Sequence, residues 1–277
     1  AFDMPQSEIN CANCGQCATV CPTGAITEKS CVSKVWSALE NEDKHVIVQT
    51  APSIQATVGE EFGMEEGSIV TEKLAAALDK LGFDKIFSTD FAADLTIMEE
   101  GNEFIKRFQG DKHLPHITSC CPGWVKFCDH NYPDLIENLS SAKSPMSMFS
   151  AIAKSYYVEE MDLDEDELYV VGVMPCTAKK FEMNRDELIE TGSETDAVIT
   201  TRELVRMIKE VGLDFANLEG REYDDMMGTS TGAANIFGTT GGVAEASLRT
   251  VKEELTGESL GRLNLGFEGI NEAEIEI

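Results

Sequence analysis

The stretch Thr118-Ser119-Cys120-Cys121-Pro122-Gly123-Trp124 constrains this chain more than any other. Two adjacent thiols cannot close an ordinary disulfide with each other. Pro122 suits the first turn of a helix, and the N–H groups that follow it would point back at Cys121 and stabilise a thiolate there. Taken alone, the pair reads better as two small apolar groups packed beside Trp124. The other cysteines turn the reading toward a metal site.

The 277 residues hold nine cysteines in two groups: Cys11, Cys14, Cys17, Cys21 and Cys31, then Cys120, Cys121, Cys128 and Cys176. The first four have the spacing C-x2-C-x2-C-x3-C-P. On one tight loop, Cys11, Cys14 and Cys17 can hold three corners of a 4Fe-4S cubane, while Cys21 on the next turn serves a second cluster. Zinc fits less well, because zinc sites pair two separated Cys-x-x-Cys units and no histidine lies near. The cubane still lacks a fourth ligand. Cys31 could supply it, though Cys31 reads better as an isolated thiol, and the chain reads as cut at its N-terminus. Close cysteine spacings with no secretory signal ahead of them argue for metal ligation in a reducing compartment, the cytoplasm. No apolar run is long enough to insert in a membrane.

From about His45 onward, apolar runs alternate with amphipathic segments. Strands are expected at His45–Val48, Lys85–Phe87, His116–Thr118, Leu168–Met174 and Ala197–Ile199. Helices are expected at Ile69–Leu81, Ala92–Phe108, Arg202–Val211 and Val243–Leu255. Strand then helix, repeated, means a mostly parallel sheet flanked by helices, with ligands beyond the carboxyl ends of the strands. Both Cys120-Cys121 and Cys176 follow such strand ends. The expected fold is therefore α/β, with two lobes and a metal site in the cleft between them. A small ferredoxin-like 4Fe-4S segment, residues 1–40, precedes a domain spanning 41–277. The acidic run Asp162–Glu167 lacks the glycine of a calcium loop and reads as a solvated turn. Gly228–Gly242 lacks the Lys-Ser/Thr ending of a phosphate loop. Ala273–Ile277 alternates as a half-buried strand. With 22 Lys and Arg against 50 Asp and Glu, a net charge of −28, nucleic acid is not an expected partner.

Thr118–Trp124 and Met174-Pro175-Cys176-Thr177-Ala178-Lys179-Lys180-Phe181-Glu182 resemble the first two signature motifs of the FeFe-hydrogenases. The resemblance continues through Ala51-Pro52-Ser53, Gly59–Phe62, Thr89-Asp90-Phe91, Leu95–Glu100, Ser140–Pro145 and Ile236–Gly242. It implies proton reduction to H2, reversibly, at an H-cluster: a 4Fe-4S cubane linked by a cysteine thiolate to a di-iron unit carrying CO, cyanide and azadithiolate. It makes Cys121 and Cys176 cubane ligands, and Cys120 the free thiol that passes protons. Lys179 would bond a cyanide, while Pro52, Ser53, Met174 and Phe237 line the di-iron pocket. Glu100, Glu103 and Arg107 share a helix face at i, i+3 and i+7. With Ser140 and Glu182 they form a candidate relay in which each group accepts and releases a proton. Electrons enter from a redox partner such as ferredoxin through the N-terminal cluster.

The family's third motif, Glu-x-Met-x-Cys-x-x-Gly-Cys, does not occur in these residues, although a cubane takes four thiolates. A longer chain or an additional subunit would supply the two remaining cysteines; a chain cut short at its C-terminus is the expectation. A non-catalytic iron–sulfur scaffold or redox-sensing homologue is the competing expectation. Met146 stands where many members carry glutamine.

Overall fold

The computed structural model describes residues 9–110, 112–185, 194–225, 230–237 and 241–258. The N-terminal cysteines lie around the short helix α1 (Gln16–Thr19), and α2 (Val32–Leu39) leads into strand β1 (His45–Thr50). There follow α3 (Ile54–Thr57), α4 (Thr71–Leu81), β2 (Lys85–Ser88), α5 (Asp90–Gly110), α6 (Pro122–Asn131) and α7 (Pro145–Ile152). Helix α7 widens into one π turn at Ala153–Tyr157 and closes as α8 (Val158–Met161). Strand β3 (Leu168–Met174), α9 (Ala178–Glu182), β4 (Ala197–Thr200), α10 (Thr201–Glu210), α11 (Gly232–Ile236) and α12 (Gly242–Thr256) complete the described chain.

The four strands form one parallel sheet in the order β2-β1-β3-β4. Successive β1 side chains face opposite sides, so both faces must be covered. Val46 and Val48 join Ile86, Val171, Val173 and Ile199 under α2, α4 and α10. Ile47 points the other way, with Phe87 and Val170, onto Phe149, Ala153 and Tyr157. That two-sided burial is why the strands read as nearly continuous apolar runs. All four carboxyl ends open on the same edge, the one carrying Pro52, Ser53 and Cys176. The acidic run at Asp162–Glu167 is a largely exposed turn, as expected.

One expected strand is not formed. His116–Thr118 makes a single parallel bridge, Ile117 to Leu139, in which Ile117 N donates to Asn138 O at 2.9 Å and Ser140 N to Ile117 O at 2.7 Å. Pro115 before it and the start of α6 after it leave no length for a ladder. The bridge nevertheless brings Ser140 alongside the segment leading to Cys120. Among the described residues the second lobe has that bridge and no second sheet; there α5 packs against α7, α11 and α12. The expected strand at Ala273–Ile277 and most of the Gly228–Gly242 loop fall outside the described residues.

Candidate metal centre and proton route

Cys121 caps α6: its sulfur accepts the Trp124 N–H at 3.4 Å, with Pro122 in the first turn. The side chain is exposed and the thiol free. Cys176 follows β3 and is half-buried and free. Helices α6 and α9 bring the two cysteine motifs together, so that a methyl on Gly123 would stand 3.7 Å from Ala178 Cβ and 3.8 Å from Cys121 Sγ. Cys31 is buried in the core beside Val32 and Val35, and Cys128 is fully buried. Both are packed thiols.

In the N-terminal loop Cys11 Sγ accepts the Asn13 N–H at 3.4 Å, while Cys14 and Cys17 are exposed. The Thr23 hydroxyl, then the N–H groups of Ile26 and Thr23, bring the Cys21 thiol down to about 7. Thiols of this kind suit a thiolate-held cluster. Among the described residues no three His, Cys, Asp or Glu side chains gather as they would on a single ion. A cubane spreads its cysteine sulfurs over four corners instead, and the motifs carrying Cys121 and Cys176 are brought together by α6 and α9.

Cys120 is half-buried, with Thr118 Oγ1 at 3.5 Å from its sulfur. Burial pushes its thiol up, against the lowering effects of the Thr118 hydroxyl and the Lys179 ammonium, so it keeps its proton at neutral pH. Glu100, 3 % exposed, lies near it. Burial also raises the Glu100 carboxyl, against the lowering effects of the nearby Ser140 hydroxyl and Ser119 N–H, and its Oε1 meets no hydrogen-bond partner among the described residues. Ser140 Oγ donates to Glu103 Oε2 at 2.7 Å, and Arg107 Nη2 to Glu103 Oε1 at 2.6 Å. Burial works against the Glu103 charge, but Ser140, the Ser141 N–H and Arg107 outweigh it and hold the carboxyl below its usual range.

Two sequence expectations change. Arg107 also donates to the carbonyls of Leu139 at 2.7 Å, Asn138 at 3.0 Å and Glu137 at 3.1 Å. A guanidinium does not give up its proton, so Arg107 clamps Glu103 and the 137–139 segment and carries no proton. Glu182 is not in that row either. Its carboxylate, 3 % exposed, binds Lys179 Nζ at 2.6 Å and accepts from Ser147 Oγ at 2.8 Å and from Ser144 Oγ. Lys179 also donates to the Cys120 carbonyl at 2.8 Å. Ser144 and Ser147 were not singled out from the sequence; the Ser-Pro start of α7 was the signal available, since Ser144 is its N-cap.

Of the expected pocket residues, Pro52 and Phe237 are half-buried, Ser53 is exposed at the start of α3, and Met174 is buried against Met146 and Val198. Gln49 Nε2 donates to the Met146 carbonyl at 3.0 Å.

Fold and site together define an α/β iron–sulfur protein in which the Cys120 thiol lies near the buried Glu100 and the Ser140–Glu103 pair. The C-terminal domain of the iron only hydrogenase large subunit matches residues 44–277 and a 4Fe-4S binding domain matches 7–27. The chain belongs to the iron-only hydrogenase family, and its cofactors are 4Fe-4S clusters and the H-cluster. It is 51 % identical, over 100 % of its length and 49 % of the relative's, to the NADP-reducing hydrogenase subunit HndD of Solidesulfovibrio fructosivorans. The solved apo [FeFe]-hydrogenase HydA1 of Chlamydomonas reinhardtii, variant C377H, superposes with a TM-score of 0.76 at 42 % identity, over 85 % of this chain and 61 % of that one. At greater distance, the cytosolic Fe-S cluster assembly factor narfl of Xenopus tropicalis is 30 % identical over 90 % of this chain and 56 % of that protein. The chain thus spans about half the length of these curated relatives. Among the described residues no helix is long and apolar enough to cross a membrane.

Proposed function

We propose that the protein reduces protons to H2 reversibly, with electrons relayed through 4Fe-4S clusters from a redox partner such as ferredoxin. The observation that supports this reading is the half-buried Cys120 thiol near the buried Glu100 carboxyl, with the hydrogen-bonded pair Ser140 and Glu103 on the same side. When bound, the H-cluster supplies the redox chemistry at hydrogen. Cys121 and Cys176 would hold two corners of its cubane; two further thiolates come from residues outside this stretch or from another subunit. Pro52, Ser53, Met174 and Phe237 would shape the di-iron pocket, and Lys179, fixed by Glu182, would present its ammonium to a cyanide. Cys11, Cys14, Cys17 and Cys21 would hold the N-terminal clusters.

Proton affinity across these groups supports inward delivery. Glu103 is held below its usual range, Glu100 is raised, and Cys120 is raised as a thiol. A proton arriving at Glu103 therefore gains by moving through the Ser140 hydroxyl to Glu100, and Cys120 holds the proton next to the reacting centre. The close spacing of Cys11, Cys14, Cys17 and Cys21, suited to metal ligation, supports a reducing compartment, the cytoplasm.

Cys120→Ala in the cluster-loaded protein tests the reading. The exchange of D2 with solvent protons should fall by roughly 100-fold or more, in the range for removal of a general acid–base, with iron content unchanged. Full exchange in the variant would overturn the relay. No exchange in the loaded parent would favour an iron–sulfur scaffold, the reading that the assembly-factor relative supports.

A further inference from the structure

The N-terminal cysteine segment meets the second motif at two points. At the tip, Thr177 Oγ1, next to Cys176, donates to the Asn13 carbonyl at 2.7 Å, and a methyl on Gly15 would stand 2.6 Å from the same oxygen. At the root, Glu203 is wholly buried, at 0 % exposed. Its Oε1 accepts the Cys31 N–H at 3.0 Å; its Oε2 accepts the Thr200 N–H at 2.8 Å and pairs with Lys180 Nζ at 2.6 Å. Lys180 Nζ also donates to the Lys29 carbonyl at 2.8 Å, and Thr200 Oγ1 to Glu28 at 3.1 Å. One buried ion pair thus grips the main chain at residues 29 and 31 from α9 and α10.

Helix capping does not require this. Thr200 and Glu203 complete a capping box for α10 without Lys180, and a buried ion pair is commonly no more stabilising than apolar groups of the same size. What such a pair adds is a fixed register between the elements it joins. Here those elements are the segment bearing Cys11–Cys21 and the helix that follows Cys176.

We propose that Glu203 and Lys180 are positioning residues that hold the N-terminal iron–sulfur segment at electron-transfer distance from the Cys176 motif. The proposal rests on the hydrogenase reading, because it concerns electrons moving between the two sites. Proton chemistry at Cys120 does not pass through this clamp. The two steps therefore respond separately to its loss.

The test uses the full-length, cluster-loaded protein with Lys180→Met, Glu203→Gln and the charge-conserving Lys180→Arg. The Cys31 amide should exchange with solvent at least about tenfold faster in Lys180→Met, as local opening becomes easier. Reduction of the N-terminal cluster by H2, followed by electron paramagnetic resonance, should slow by about the same factor because electron transfer weakens steeply with separation. D2/H+ exchange should stay near the parent level, and Lys180→Arg should restore both readouts toward the parent. A protected Cys31 amide in Lys180→Met, or a loosened amide with unchanged cluster reduction, would overturn the proposal. If Lys180→Met fails to fold, Glu203→Gln is judged by the same two readouts. A parent without D2/H+ exchange would remove the hydrogenase reading alone; the clamp would then be judged by the Cys31 amide and by magnetic coupling between the chemically reduced clusters.

Discussion

Removing the charge of Glu182 while keeping its shape isolates what the Lys179 pair contributes. The pair is short, at 2.6 Å, and its side chains are 13 % and 3 % exposed for Lys179 and Glu182. Two serine hydroxyls complete the carboxylate's shell, so counterions that screen a surface pair have little access. Deleting one partner of a buried pair costs about 3–5 kcal/mol because the survivor is left uncompensated. Lys179 keeps its hydrogen bond to the Cys120 carbonyl and some solvent, which places Glu182→Gln at the lower end, ~3 kcal/mol. Lys179→Met should cost a similar amount, since Glu182 retains its serine donors. The double variant strands no charge and should cost no more than either single change, ~3 kcal/mol or less, giving a coupling of about 3 kcal/mol or more in a double-mutant cycle. Anaerobic urea unfolding of the four proteins, in about 0.15 M and about 1 M NaCl, measures it. A coupling below about 0.5 kcal/mol, or one that high salt halves, would mean an ordinary solvated pair and refute the reasoning.

Gly15→Ala should loosen the tip contact, because Gly15 has φ +80° and its new methyl would meet Thr177; we expect a loss of ~1–2 kcal/mol from the left-handed backbone alone, read by urea unfolding, and an unchanged midpoint would contradict the contact. The two relay carboxyls shift in opposite directions from 4.5 and so tilt stability in opposite senses with pH. For Glu103, lowered in the fold, the contribution is full above pH 4.5 and is lost as pH falls through the lowered value. For Glu100, raised in the fold, it is full below pH 4.5 and is lost as pH rises through the raised value. Glu103→Gln should therefore flatten the acid limb of the unfolding-midpoint profile, and Glu100→Gln the limb above pH 4.5; profiles parallel to the parent's would refute both assignments.

Much of the fold was legible because a two-sided parallel sheet leaves a strong trace: Val46 to Val48 and Leu168 to Met174 are apolar at nearly every position. The bridge at Ile117 was not legible as such, since its length is set by a partner segment about twenty residues away in sequence. Glu100, Glu103 and Ser140 were singled out by helical spacing together with family resemblance, and the hydrogen bond between Ser140 and Glu103 joins two of them. The separate place of Glu182 was not, because spacing along one helix says nothing of which serines a neighbouring helix offers. The Glu203 grip on Cys31 spans 172 positions. Its Thr-x-x-Glu pattern announces only a helix cap, and nothing in that pattern tells where the spare oxygen reaches.

Lys179 and Lys180 are neighbours on α9, yet one reaches the Cys120 carbonyl and the other the Lys29 carbonyl. Consecutive helical residues differ by about 100° in direction, which is what lets one short helix serve two sides of the molecule. Inserting or deleting a single residue between Met174 and Ala178 would turn the helix by that same angle and offer each acceptor the wrong side chain. Length, as much as composition, is therefore inherited as a unit in this loop, and a homologue that altered it would have to rebuild both attachments at once.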